Sequence, residues 1–332
     1  MYLKVDVTVN LVTSRKILML VEMQGVSHRS FLSVADLNRS EFTDLLERTR
    51  ALKQSMVRRA SGNILEKKVI GLLFEKPSTR TRTSFEVAAF RLGGEPIYMQ
   101  SSELQGTRGE PIQDTARILG SYLDCIVARV YAHDTVIQLA KHSHVSIVNA
   151  LSDLEHPTQI VSDFLTIVES KGKLQGLTLA YIGDGDNVCN SLLLGSALAG
   201  MNMNVACPEG YDPDAATLAK AQRLAEENRV KLAIMRKPTE AVKGADVLYT
   251  DVWVSMGEDA EREKRTKAFQ GYQINSELLK AANPGAVVMH CLPAHRGLEI
   301  TDDVIEGAQS IVWQQGANKL YSAASVMEYC LK

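Results

Sequence analysis

From Lys67 onward, short apolar runs alternate with amphipathic stretches, and nothing else in the chain limits the fold as strongly. VIGLLF, PIYM, CIVARV and VSIVNAL read as buried strands, and TRTSFEVAAFRL, DTARILGSYL and HDTVIQLAKH between them carry a helical period. After Gly176 the pattern resumes with LTLAYIGD, NVACP, KLAIMR, DVLYTDVW, AVVMHC and SIVWQQ, separated by helices such as DPDAATLAKAQRLAEEN. Strands that are apolar throughout belong in sheets covered on both faces, and parallel strands need helical crossovers. The prediction is therefore an α/β protein of two doubly wound parallel-sheet domains, with about four strands in the first and six in the second. The stretch HPTQIVSDFLTIVESKGKLQG (156–176) reads as a long helix that bridges them. The final helix, ANKLYSAASVMEYCL, is expected to pack away from the last strand's own edge. This divides the chain into a first domain of residues 30–155 plus 317–332 and a second of 156–316.

Composition removes several classes of function. Lys+Arg 37 against Asp+Glu 39 leaves a net charge of −2 with no basic stripe, which excludes nucleic acid as the main partner. The five cysteines (Cys125, Cys189, Cys207, Cys291 and Cys330) are odd in number and form no C-x-x-C pair. That favours a reducing, cytoplasmic setting and offers no metal signature. No apolar run approaches the ~18 residues of a membrane span. Residues 1–29 lack a cleavage pattern and carry an early acid, Asp6, so a signal peptide is a poor reading. They are expected to be a dispensable extension, with Met23 a plausible alternative start just upstream of domain-like sequence near Ser30.

Ligands of open α/β sheets bind beyond the carboxyl ends of the strands. Six such ends hold most of the reactive side chains here: EKPSTRTRT, the Tyr-Ala-His that follows Arg129, SDLEHPTQ, GDGDN, DVWVSMGED and HCLPAHRG. That distribution predicts an active-site cleft between the two domains. In the first of them, Pro77 stops a strand and Ser78 or Thr79 caps a helix running to Leu92. A helix N-terminus carries only about half a positive charge, so a phosphate of about −1.5 to −2 needs Arg80 as well. Arg82 faces elsewhere and is expected to pair with Glu86. From the residues alone, an ordinary capped helix with solvated arginines is as good a reading. GDGDN follows a strand and opens a helix, but Val188 stands at the third glycine position, and no clean ribose-binding acid follows. A dinucleotide site is not expected.

STRTRTSFE, RGEPIQDTAR, HPTQ, DVWVSMG and HCLP, in this order and spacing, resemble the aspartate/ornithine carbamoyltransferase family from about residue 30 to the C-terminus. The resemblance implies that the first domain binds carbamoyl phosphate and the second L-ornithine. It further implies carbamoyl transfer to the δ-amine, giving L-citrulline and phosphate, a place in arginine metabolism, and no cofactor or metal. By resemblance Ser78, Thr79, Arg80 and Thr81 hold the phosphate, while Arg129, His156 and Gln159 hold the carbamoyl end. Cys291, Leu292 and Lys319 complete that site, and Asn187, Asp251, Ser255 and Met256 hold ornithine. Arg129, His156, Asp251 and Cys291 are the implied catalytic residues. The family's trimer implies self-association, with Gln105 reaching a neighbour's site. Two stretches depart from the family pattern. Asp186 stands where asparagine is usual, and Ala317-Asn318-Lys319 replaces Glu-Asn-Arg. The alternatives are a sibling enzyme for another amine, such as putrescine or an N-acylated ornithine, and a non-catalytic protein that binds carbamoyl phosphate or an amino acid.

Overall fold

The computed structural model describes residues 28–103, 109–254 and 259–332. Residues 1–27 of the expected N-terminal extension, Gln105, Ser255 and Met256 lie outside these residues. The first part of the chain runs α1 (Arg39–Val57), β1 (Val69–Phe74), α2 (Thr79–Arg91), β2 (Glu95–Gln100), α3 (Ile112–Tyr122), β3 (Cys125–Arg129), α4 (His133–His142), β4 (Ser146–Leu151) and α5 (Pro157–Lys171). The second runs β5 (Thr178–Ile182), α6 (Asn187–Ala199), β6 (Asn202–Ala206), α7 (Ala215–Asn228), β7 (Leu232–Met235), α8 (Pro238–Ala241), β8 (Val247–Thr250), α9 (Arg262–Ala268), α10 (Ser276–Lys280), β9 (Val287–His290), α11 (Asp302–Ile305) and α12 (Val312–Leu331).

Two sheets result, ordered β2-β1-β3-β4 and β7-β6-β5-β8-β9, and every strand pair is parallel. The central strands are buried along nearly their whole length, as their unbroken apolar sequences require. In each sheet the strand order reverses once. The reversal falls between β1 and β3 in the first sheet and between β5 and β8 in the second, so the loops after these four strands open onto a crevice. Those loops and the strand ends they leave carry STRTRT, Arg129, GDGDN and Asp251.

One expected strand is absent. SIVWQQ contributes only an isolated bridge from Ser310 to Val288, and α12 begins at Val312. The apolar letters belong to a helical face instead. Val312, Gln315, Lys319 and Ser322 are buried at spacings of three and four, so the run is the first turn of a helix that begins before Ala317. The helix packs against α1, α2 and α5 and also touches β9, away from the last strand's edge as its sequence suggested.

Helix α5 is the element on which the site rests. Pro157 to Ile167 are all buried, polar members included, so each of those polar groups needs a partner. Ser162 donates to the Gln315 carbonyl at 2.9 Å, and Thr166 accepts from Asn318 at 2.8 Å. On the other side α6 approaches closely at Gly195, where a Cβ would lie 2.7 Å from Ile160 Cγ2.

Candidate active site

The two crevices meet in one cavity of about 440 Å³, within the size of a small-molecule site. Ser78, Thr79, Arg80, Thr81, Arg129, His156, Gln159, Asn187, Asp251, Cys291, Leu292 and Lys319 all line it. Every expected site residue among those described is thus gathered in one place.

On the first-sheet side, Ser78 is the N-cap of α2 and accepts from the Thr81 amide at 3.3 Å. Its extended backbone turns the chain out of β1, so the free amides of the first helical turn face the cavity beside Arg80. Arg82 points away, 2.9 Å from Glu86 and stacked on the Tyr98 ring. Arg129 ends β3 and is buried. Burial lowers its pKa to about 10; nearby Cys291 and Asp251 oppose that shift, while Arg80 reinforces it. It remains a cation at neutral pH.

His156 caps α5 from a buried position, its amide donating to Ser191 Oγ at 2.9 Å. Burial, with Lys319 and Arg129 nearby, holds its pKa well below the usual imidazole value, so the ring is neutral. Its Nδ1 and the Nε of Arg129 are buried and make no hydrogen bond among the described residues. Two buried nitrogens on neighbouring cavity walls point to a ligand that pairs with them. Gln159 donates through Nε2 to Asp163 Oδ1 at 2.7 Å, and its Oε1 accepts from Lys319 Nζ. The Lys319 ammonium is buried, which brings its pKa down to about 8 against the opposing pull of Asp163.

On the second-sheet side, Asn187 opens α6 and donates to the Ser152 carbonyl at 2.6 Å. Asp186 caps the same helix by accepting from the Val188 amide at 3.1 Å. Burial, and then Asp251 and Asp184, push its carboxyl well above the ordinary range. The middle glycine of GDGDN has a local cause. A Cβ at Gly185 would lie 2.3 Å from Pro213 N and 2.4 Å from Asp212 C, so the 211–213 backbone excludes any side chain. The motif reflects close chain packing, in keeping with the reading against a dinucleotide.

Asp251 accepts from the Val252 amide at 2.7 Å and is hydrogen-bonded to Cys291. Burial and Asp251 raise the Cys291 pKa well above that of a free thiol, so the residue is a thiol and not a poised thiolate. The loop after β9 is held by His290, whose Nδ1 accepts from the Leu292 amide at 2.9 Å and whose Nε2 faces Glu299 at 3.1 Å. With Nδ1 accepting, Nε2 is the nitrogen whose proton faces Glu299. Leu292, next to Cys291, sits at φ 60, a left-handed conformation unusual for a branched side chain. Sequence reasoning passed over Lys76, Pro293 and His295 as lining residues, although all three stand at strand ends. It also passed over Asp163, Tyr249 and Gln315, which lie beneath the cavity and carry no local motif.

Residues 29–169 match the family described as aspartate/ornithine carbamoyltransferase, carbamoyl-P binding domain, and residues 175–330 match its Asp/Orn binding domain. The chain is 50% identical to the ornithine carbamoyltransferase of Methanosarcina mazei over 299 residues, 90% of this chain and 98% of that protein. It is 49% identical to that of Archaeoglobus fulgidus, over 90% of this chain and 96% of its relative. The ornithine carbamoyltransferase structure from Pyrococcus furiosus superposes with a TM-score of 0.88 at 44% identity, covering 91% of this chain and 96% of the other.

Proposed function

The chain belongs to the aspartate/ornithine carbamoyltransferase family, and from that premise we propose that it transfers the carbamoyl group of carbamoyl phosphate to the δ-amine of L-ornithine, releasing L-citrulline and phosphate. One observation carries the reading. The buried Arg129 and His156 nitrogens without partners share a cavity with the capped N-terminus of α2 on one side and the Asp251–Cys291 pair on the other. Such a cavity suits a small anionic acyl donor and a cationic amine together.

The phosphate sits on the first-turn amides of α2 with Ser78, Thr79, Arg80 and Thr81, and Lys319 adds charge from α12, which packs against α2. The neutral δ-amine attacks the carbamoyl carbon and a C–N bond forms. Charge gathers on the carbonyl oxygen, where Arg129, neutral His156 and Thr81 donate to it. The bond between the carbamoyl carbon and the bridging oxygen then breaks, phosphate leaves with the electron pair, and the proton shed by the newly bonded nitrogen goes to the departing phosphate. Gln159 accepts from the carbamoyl NH₂. Asn187 and Asp251 receive the amino-acid end of ornithine, together with Ser255 and Met256. The δ-ammonium must first lose a proton, which costs about 4–5 kcal/mol at pH 7 for a pKa near 10.4. In this reading the Cys291 thiol, hydrogen-bonded to Asp251, meets the δ-group and orients it.

We also infer a homotrimer in the cytoplasm. Ile97 on the edge strand β2, Phe90 on α2, and Ile118 and Tyr122 on α3 are large apolar side chains left exposed in the single chain, as self-association would require. All five cysteines are unpaired, as in a reducing compartment, and no described helix is long and apolar enough to cross a membrane.

Ureido-product formation from carbamoyl phosphate, measured with L-ornithine, putrescine, N-acetylornithine and L-aspartate, tests the reading. Citrulline from ornithine alone, abolished by Arg80→Ala, is the expected result. Product with another amine instead overturns the acceptor, and no product with any of them overturns the activity.

A further inference from the structure

Beneath the cavity, where α5, β8 and α12 meet, lies a buried polar cluster that the transfer steps above do not use. Asp163, one turn beyond Gln159 on α5, is fully buried. Its Oδ1 accepts from Gln159 Nε2 at 2.7 Å and from Gln315 Nε2 at 2.8 Å, and its Oδ2 accepts from the Tyr249 hydroxyl at 2.8 Å. Gln315 also donates to the Tyr249 oxygen at 3.0 Å, and its Oε1 accepts from the His290 amide at 2.9 Å. A single carboxylate therefore ties the carbamoyl-side Gln159 to the strand that leads into Cys291.

The chemistry of the groups makes this directional. An amide has one donating and one accepting end, whereas an ionised carboxylate only accepts. Facing Asp163, Gln159 must point its NH₂ downward and its oxygen upward, toward the cavity and Lys319. That oxygen has two lone pairs, enough for Lys319 and a carbamoyl NH₂ at once. We propose that Asp163 is a positioning residue for carbamoyl transfer, its acceptor-only carboxylate holding the Gln159 oxygen toward the substrate and seating the Lys319 ammonium against it. The inference rests on the transfer reading given above.

Two variants test it. In Asp163→Asn the new side chain has a donor of its own, so Gln159 loses its directional constraint. kcat/KM for carbamoyl phosphate is expected to fall on the order of tenfold, about the effect of one lost hydrogen bond at the reacting group. A merely structural role would not move the alkaline limb of that parameter. Lys319 is faced by Asp163 from α5, Cys291 after β9, Arg129 from β3 and Arg80 from α2, and His156 stands nearby at the cap of α5. Asp163 is the largest of the charges that favour its protonated form. Without that charge Lys319 loses its proton sooner, and the limb moves to lower pH. Tyr249→Phe keeps the carboxylate's charge and its bond to Gln159 but removes a donor that shields that charge, so Lys319 holds its proton longer and the limb moves slightly to higher pH. Should Asp163→Asn not fold, Tyr249→Phe carries the test. An active wild type whose folded variants keep both kcat/KM and the position of the limb overturns this inference alone. A fall in rate with an unmoved limb overturns it too. A wild type that makes no citrulline overturns the transfer reading and the inference together.

Discussion

Lys319 stands where the resemblance leads one to expect arginine, and its environment makes the difference measurable. An arginine there would keep its charge at any working pH, whereas a buried lysine with a pKa near 8 does not. The sign follows directly. If Lys319 serves the phosphate as proposed, the ammonium present below about pH 8 attracts it, and above that pH the charge is lost and carbamoyl phosphate should bind less well. The attacking amine behaves in the opposite way, gaining its lone pair as pH rises. kcat should therefore climb from pH 7 to 9 while kcat/KM for carbamoyl phosphate falls above about 8. Lys319→Arg should remove the fall and leave the rise. Steady-state profiles of both enzymes would check this, and parallel profiles in the wild type would refute it. Cys291 makes a second case. Because its proton is retained, a hydroxyl can replace it as the donor to Asp251, so Cys291→Ser should lower kcat by roughly tenfold and Cys291→Ala by more.

At the level of single elements, what the sequence disclosed depended on whether a residue's partners were local. The buried strands of both sheets were legible as unbroken apolar runs, and the α2 cap was legible because Ser78 and Thr81 lie three residues apart. SIVWQQ was misread because its β-branched start is short. Its helical period appears only when Gln315 and Lys319 are counted with residues beyond the run. The partners of Asp163 were invisible, since Tyr249 and Gln315 come from β8 and α12 and only the fold brings them near. The glycines divide in the same way. Gly195→Ala should press on Ile160 and on Phe164, whose Cε2 lies 3.0 Å from the new Cβ, and destabilise the α5–α6 contact by about 1–3 kcal/mol. Gly185→Ala meets backbone that cannot rotate away, so the β5–α6 turn carrying Asn187 must shift. Thermal unfolding should register the first. The second should appear as a raised KM for ornithine with that for carbamoyl phosphate little changed.

For the whole molecule, the fold explains why one cleft serves two substrates of opposite charge. Each sheet reverses its strand order once, and α5 and α12 hold the two reversal points face to face. The cation-rich loops of the first sheet therefore confront the carboxylates of the second across about 440 Å³. Geometry within one chain does not exhaust the proposal, because the inferred trimer has Gln105 act in a neighbour's site. Subunit mixing tests this directly. Arg129→Ala and Gln105→Ala homotrimers should each be nearly inactive. In randomly mixed trimers a site works only when its own chain retains Arg129 and the adjacent chain retains Gln105. Each condition is met half the time, so equal mixing should restore about one quarter of the wild-type rate. Were Gln105 to serve its own chain, every site would lack one residue or the other, and mixing would restore nothing.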